Sequence, residues 1–211
     1  LIERLKKFLV NSLYTVLLLL LFLPIKVLFR LRIRGREMIK RKEGYIIVAR
    51  HRSYWDIPLL VEAFGWRNHI HFIARKGLRK NPVFRPLLKL FSTTIDRNHF
   101  TKTDFRRTLE AVRRERLIGI FPEGTTKYGV DAKGGAIRFA QLADKKFLPV
   151  NISVRGPYPP RYPFHFPRVT VTIGEAISVS DLEAALKCGQ REANHNLLLS
   201  QQLMERVDAV R

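Results

Sequence analysis

No charged residue occurs from Phe8 to Ile25, and the stretch Leu13–Ile25 is apolar apart from Tyr14, Thr15 and Pro24. As a helix, thirteen residues rise about 20 Å, short of the roughly 30 Å of a bilayer's hydrocarbon core. The longer uncharged run comes near to spanning. Leu17 to Leu23 is apolar on every side, which a small domain has little means to cover. Pro24 predicts a break. The segment therefore predicts a helix, a break near Pro24 and a second short helix, both dipping into one leaflet. A signal peptide would need a small-x-small cleavage site, and none follows.

Beyond residue 30 the pattern alternates between short apolar runs and amphipathic stretches. Strands are predicted at 45–49, 70–74, 93–95, 117–121, 147–154 and 168–173. Helices are predicted at 57–64, 81–91, 103–116, 135–143 and 191–210. Asn81 and Pro82 open the second of these as cap and first residue. Near-continuous apolar strands alternating with helices imply an α/β fold with a mostly parallel sheet flanked by helices. The chain divides into an N-terminal membrane-binding helix pair, 1–34, and an α/β domain, 35–211. The five prolines between Gly156 and Pro167 suggest an ordered extended loop, a candidate rim for a site.

Charge narrows the partners. The 211 residues hold 39 Lys+Arg against 18 Asp+Glu, a net charge of +21. Between Ala63 and Ile95 there are seven basic residues and no acidic one. Such a chain meets anions: nucleic acid, an acidic membrane surface or a phosphorylated substrate. Nucleic acid is disfavoured, because no recognised module and no basic–aromatic interleaving is present. Arg4, Lys6 and Lys7 precede the apolar run; Lys26, Arg30, Arg32, Arg34 and Arg36 follow it. Cations on both sides suit a segment whose ends both face the cytoplasm, among anionic headgroups. Cys188 is the single cysteine, so neither an intrachain disulfide nor a Cys-based zinc site is expected. No spacing suggests a metal or a cofactor.

Two strand ends carry candidate chemistry. Strand 45–49 runs into Arg50-His51-Arg52-Ser53-Tyr54-Trp55-Asp56. On one continuous helix His51 and Asp56 would point apart, but across a turn Asp56 can accept from one ring nitrogen and leave the other as a base. The same residues also read as a helix start, with Asp56 as N-cap or Ser53-x-x-Asp56 as a capping box. Strand 117–121 ends in Phe121-Pro122-Glu123-Gly124-Thr125-Thr126-Lys127. There Gly124 permits close backbone approach, while Thr125 and Lys127 suit a phosphate. Taken alone, that string reads better as a plain turn with Glu123 capping the next segment.

Taken together, these strings resemble the glycerophospholipid acyltransferase family, which is known by four blocks in order. The first, His-x4-Asp, matches His51 to Asp56. The second, ending in an arginine after a short strand, matches Ile95-Asp96-Arg97. The third, Phe-Pro-Glu-Gly-Thr, stands intact at 121–125. The fourth matches Phe147-Leu-Pro149-Val-Asn-Ile-Ser153. The third block usually continues with arginine, where this chain has Thr126-Lys127. Lysine supplies the charge but not the bidentate geometry. The second block usually opens with glycine and carries an aromatic three residues before its arginine, positions held here by Phe91 and Thr94.

The resemblance implies acyl transfer from acyl-CoA or acyl-carrier protein to the free sn-2 hydroxyl of lysophosphatidic acid, at the cytoplasmic face of the cell membrane. His51 would be the general base and Asp56 its orienting partner. Arg97, then Gly124 and Thr125 through their N–H groups, would bind the phosphate, with Lys127, Lys76 and Lys133 as further cations. Glu123 would orient a basic side chain or accept from a glycerol hydroxyl. Tyr54 and Trp55 could line an acyl path, although core burial suits Trp55 as well. No metal or cofactor is implied. Alternatives are glycerol 3-phosphate as acceptor, or a basic membrane-tethered nucleic-acid- or lipid-binding protein without catalysis.

Overall fold

The computed structural model describes residues 2–80, 84–96, 99–125, 132–161, 165–185 and 195–211. Helix α1 (Ile2–Leu28) leads into strand β1 (Arg32–Arg34) and then β2 (Tyr45–Val48). There follow α2 (Asp56–Phe64), β3 (Ile70–Arg75), α3 (Phe84–Phe91), β4 (Ser92–Ile95), α4 (Lys102–Arg114) and β5 (Leu117–Ile120). The chain continues through α5 (Gly135–Ala143), β6 (Lys146–Arg155), β7 (Arg168–Ile173), α6 (Val179–Ala185) and α7 (His195–Ala209). Among the described residues the strands form one sheet in the order β1-β7-β6-β2-β5-β3-β4. Every pairing is parallel except β6–β7.

The six expected strands are present within about two residues at each end, as are helices α2, α4 and α5. The Asn81-Pro82 cap lies outside the described residues. Helix α4 starts on a capping box instead: the Thr101 hydroxyl accepts from Asp104 N–H at 3.1 Å while Asp104 accepts from Thr101 N–H at 3.2 Å. Strand β1 and helix α6 are too short for their periodicity to stand out and were not expected.

Strand β2 is buried on both faces, which is why it reads as an unbroken apolar run. One face of the sheet packs against α1 and α2, through Tyr45, Ile47, Leu59, Leu60, Phe72 and Leu117. The other packs against α4, α5, α6 and α7, through Ile46, Val48, Ile118, Ile137, Leu199 and Leu203. The register sets Val48 of β2 beside Ile120 of β5. The two chemistry-bearing strings therefore leave neighbouring strands at the same end of the sheet, although about seventy residues separate them in sequence.

The N-terminal segment differs from expectation. It is one helix running through Pro24, not a helix pair. The missing N–H removes one helical bond, but burial of Ile25 and Phe29 in the sheet's first core anchors the last turn beyond the proline. With Arg32–Arg34 in the sheet beside β7, the α/β core begins before residue 35. Farther out, Phe8, Leu9, Val16, Leu19 and Leu20 are exposed. Among the described residues no helix is long and apolar enough to cross a membrane. Arg36 leaves the set of headgroup-facing cations, because its Nε and Nη2 donate to Ala63 O and Glu62 O at 2.7 Å each. It caps the carbonyl end of α2, where a cation meets the helix dipole favourably.

Glu62 of α2 is buried, and neither carboxyl oxygen has a hydrogen-bond partner. Burial pushes its pKa up from 4.5 to about 7, against the opposing pull of Arg36. The folded state therefore holds this proton more tightly than the unfolded chain. The site is neutral and harmless below pH 4.5; its penalty grows between pH 4.5 and 7, where the unfolded chain's carboxyl ionises while the folded one keeps its proton, and levels off above pH 7. Glu62→Gln should leave stability unchanged at pH 4.5 and raise it by about 3 kcal/mol at pH 8. Urea unfolding at the two pH values measures this; equal gains at both would show that Glu62 does not titrate in this range.

Candidate active site

After β2 the chain turns through Ala49–Trp55 and enters α2 at Asp56, whose carboxylate faces back onto that turn. Asp56 Oδ2 accepts from Arg52 N–H at 2.7 Å, from Ser53 N–H at 2.8 Å and from His51 Nδ1 at 3.0 Å. Oδ1 accepts from the Tyr158 hydroxyl. The helix-start reading is corrected: Trp55 is the N-cap of α2, Asp56 is its first residue, and no side chain caps the helix, because the Asp56 carboxylate is turned back to bind the turn's N–H groups and the imidazole with the same oxygen. Ser53 Oγ accepts from Trp55 N–H at 3.2 Å and tightens the same turn. Asp56 is 1% exposed. An ionised carboxylate only accepts, so His51 carries its proton on Nδ1 and keeps the lone pair on Nε2.

Tyr158 comes from the proline-rich stretch, which reaches the site from beyond β6. Burial first, then the Asp56 charge and hydrogen bond, push its phenol far above the ordinary range, so it stays a donor. The His51 ring stacks on Phe121, with centroids 4.2 Å apart and planes 19° apart. Phe121 in turn stacks on Phe72, at 6.3 Å and 10°. Gly119 makes room for this arrangement, since a Cβ there would stand 2.5 Å from the Phe72 ring. Tyr54 meets His51 edge-on at 6.3 Å and is exposed, while Trp55 is half-buried and packs against the first core, on Phe29 at 5.0 Å.

Glu123 engages protein groups with both oxygens. Oε2 accepts from His51 N–H at 3.1 Å, and Oε1 accepts from Arg50 Nη1 at 2.5 Å. Of the two roles open to it in the sequence, orienting a basic side chain is the one its contacts match. The Gly124 N–H, expected to serve a phosphate, closes the turn on Phe121 O at 2.9 Å and is not available. The turn demands this, with Gly124 at φ 70°, where an L side chain would be strained. Thr125 is half-buried beside it. Lys76 follows β3 at the same end of the sheet, with its side chain exposed. Lys133 is exposed too, and its N–H donates to Pro122 O at 3.0 Å. Arg97 and Lys127 lie outside the described residues.

Arg50, Tyr158 and Asp208 reach this site without having been singled out in the sequence. Arg50 carried the signal of adjacency to His51, and Tyr158 that of the proline-rich stretch, a candidate rim for a site; Asp208 is brought in by tertiary structure alone. No cluster of three or more His, Cys, Asp or Glu able to hold a metal occurs among the described residues.

The chain matches the family model described as Acyltransferase over residues 30–153. It is 29% identical over 143 residues to 1-acyl-sn-glycerol-3-phosphate acyltransferase of Streptococcus pneumoniae, covering 67% of this chain and 53% of that protein. It is 27% identical over 124 residues to a probable 1-acyl-sn-glycerol-3-phosphate acyltransferase of Mycoplasma genitalium, covering 55% and 46%. The chain spans about half the length of these curated relatives. The crystal structure of the 1-acyl-sn-glycerophosphate acyltransferase PlsC from Thermotoga maritima is similar in fold. The TM-score is 0.62 at 20% identity, over 99% of this chain and 83% of that one.

Proposed function

From the premise that this chain belongs to the acyltransferase family, we propose that it moves a fatty acyl group from an acyl thioester to the sn-2 hydroxyl of lysophosphatidic acid, giving phosphatidic acid. The observation that carries the reading is the 3.0 Å His51–Asp56 contact, beside the Phe-Pro-Glu-Gly-Thr loop at the end of β5. His51 Nε2 takes the hydroxyl proton as the oxygen attacks the thioester carbonyl. Asp56 stabilises the imidazolium. Collapse of the tetrahedral intermediate breaks the C–S bond, and the imidazolium returns its proton to the departing thiolate. No acyl-enzyme is needed; Cys188, the single thiol, lies outside the described residues. Arg97, Thr125, Lys127, Lys76 and Lys133 supply the groups for the acceptor's phosphate.

The printed names of the curated relatives support lysophosphatidic acid as acceptor. Purified protein assayed with acyl-CoA or acyl-carrier-protein thioester should acylate lysophosphatidic acid faster than glycerol 3-phosphate or neutral lysolipids. Faster acylation of glycerol 3-phosphate would move the enzyme to that acceptor. Absence of transfer to any of them would leave a non-catalytic lipid-binding protein.

The same reading has α1 lying in the cytoplasmic leaflet. Its support is the exposed apolar side chains of Phe8, Leu9, Leu13, Val16, Leu19 and Leu20, followed by Lys26, Arg30, Arg32 and Arg34. Ile25 and Phe29 belong to the core, so a truncation that tests this must stop before them. Deleting residues 1–20 should leave a folded protein that binds anionic vesicles only at low salt, since the remaining attraction is screened. Activity on bilayer substrate should fall well below that on detergent-dispersed short-chain substrate. Unchanged vesicle binding at high salt would remove α1 from the membrane contact.

A further inference from the structure

We propose that the C-terminal helix α7 belongs to the catalytic apparatus, with Asp208 as a positioning residue that acts on His51 through Arg50 and Glu123. The inference rests on the reading of His51 as the base.

Arg50 is gripped along one edge by Asp208. Nε donates to Oδ1 at 2.8 Å and Nη2 to Oδ2 at 2.6 Å. The guanidinium is planar and rigid, so fixing that edge fixes the direction of Nη1. Nη1 donates to Glu123 Oε1 at 2.5 Å, and Glu123 Oε2 accepts from the His51 N–H at 3.1 Å. These contacts link the end of α7, the turn after β2 and the loop after β5. Glu123 is 8% exposed, so its charge has little water and depends on Arg50. Arg50 remains about one-third exposed, and without Asp208 its guanidinium is free to swing towards solvent.

The seat of α7 does not depend on Asp208. Leu199, Leu203, Met204 and Val207 are buried against the sheet. Ser200 Oγ donates to Lys133 O at 3.1 Å, and Asn151 Nδ2 donates to Val210 O at 2.8 Å. Removing the Asp208 carboxylate should therefore loosen Arg50 and Glu123 while the helix stays in place. Helix α7 lies beyond the matched residues 30–153, so the family's own blocks do not supply this support.

The test compares wild type with Asp208→Ala, Asp208→Glu, Arg50→Ala, the Arg50→Ala/Asp208→Ala double variant and Glu205→Ala, an exposed control on the same helix. Two readouts are taken: steady-state acyl transfer, and hydrogen exchange of the His51 amide. Asp208→Ala should lower kcat about tenfold with KM for both substrates within about twofold, because displacement rather than lost binding is the cause. Asp208→Glu should recover part of the loss, and Glu205→Ala should match wild type. The double variant should lose no more than Arg50→Ala alone. His51 amide exchange should accelerate in Asp208→Ala and in Arg50→Ala alike. Wild-type kcat together with wild-type exchange in Asp208→Ala would overturn the proposal, as would losses that multiply in the double variant. If wild type acylates none of the acceptors, the reaction reading fails, and the exchange measurement by itself decides whether Asp208 holds the His51 turn.

Discussion

Alanine at position 51 should lower acyl transfer by about 10²–10⁴-fold, the range that a positioned general base supplies. The expectation comes from the arrangement around the imidazole. Asp56 holds Nδ1 at 3.0 Å, the ring lies on Phe121 at 4.2 Å, and the backbone N–H is tied to Glu123 at 3.1 Å. Each constraint removes one freedom of the ring and leaves Nε2 with a fixed direction. The turn's other bonds, from Arg52 and Ser53 N–H to Asp56, do not involve the imidazole. The variant should therefore fold, with an unchanged circular dichroism spectrum and wild-type KM values wherever residual turnover permits their measurement. Retention of more than about a tenth of wild-type kcat would rule out base catalysis by His51.

Asp56→Asn should be nearly as damaging, through a different cause. The wild-type carboxylate accepts on every side, from two backbone N–H groups, from His51 and from Tyr158. An amide has one oxygen. If that oxygen stays with the backbone donors and His51, the tautomer survives, but the negative charge that stabilises the imidazolium is lost. If the amide turns over, its N–H₂ faces three N–H donors, and the turn must open. Either outcome lowers kcat by about 10²–10⁴-fold, and the second also lowers the melting temperature. Asp56 touches no substrate in the proposed reaction, so KM for lysophosphatidic acid should hardly change. A rise in KM with kcat preserved would make Asp56 a binding group instead.

The N-terminal segment shows how far local pattern reaches. Its apolar run marks a helix, and Pro24 locally argues for a break, yet α1 continues to Leu28. The burial of Ile25 and Phe29 outweighs one missing hydrogen bond, and that burial depends on α2 and the sheet, which local propensity does not register. Gly124 teaches the same lesson at the site. Its type in that string allows either a tight turn or an open N–H for a ligand, and the bond to Phe121 O selects the turn. For Glu123 the alternatives were a basic side chain or a substrate hydroxyl, and the partner proved to be its neighbour in space, Arg50.

The sequence by itself determined the alternation of strands and helices, the mostly parallel sheet, and the two strings that meet at its end. Hydrophobic periodicity reports burial residue by residue, and a parallel sheet brings the ends of its strands to one side. It also marked His51 and Asp56 as partners, because five positions across a turn is a distance the local chain can close. Tertiary structure alone decided that Tyr158 completes the shell of Asp56 and that Asp208 steadies Arg50 from 158 positions away. Those contacts are made between segments whose own patterns specify only a proline-rich loop and an amphipathic helix. Which of their polar side chains reaches the site depends on how β6, β7 and α7 pack, and no local spacing encodes that packing.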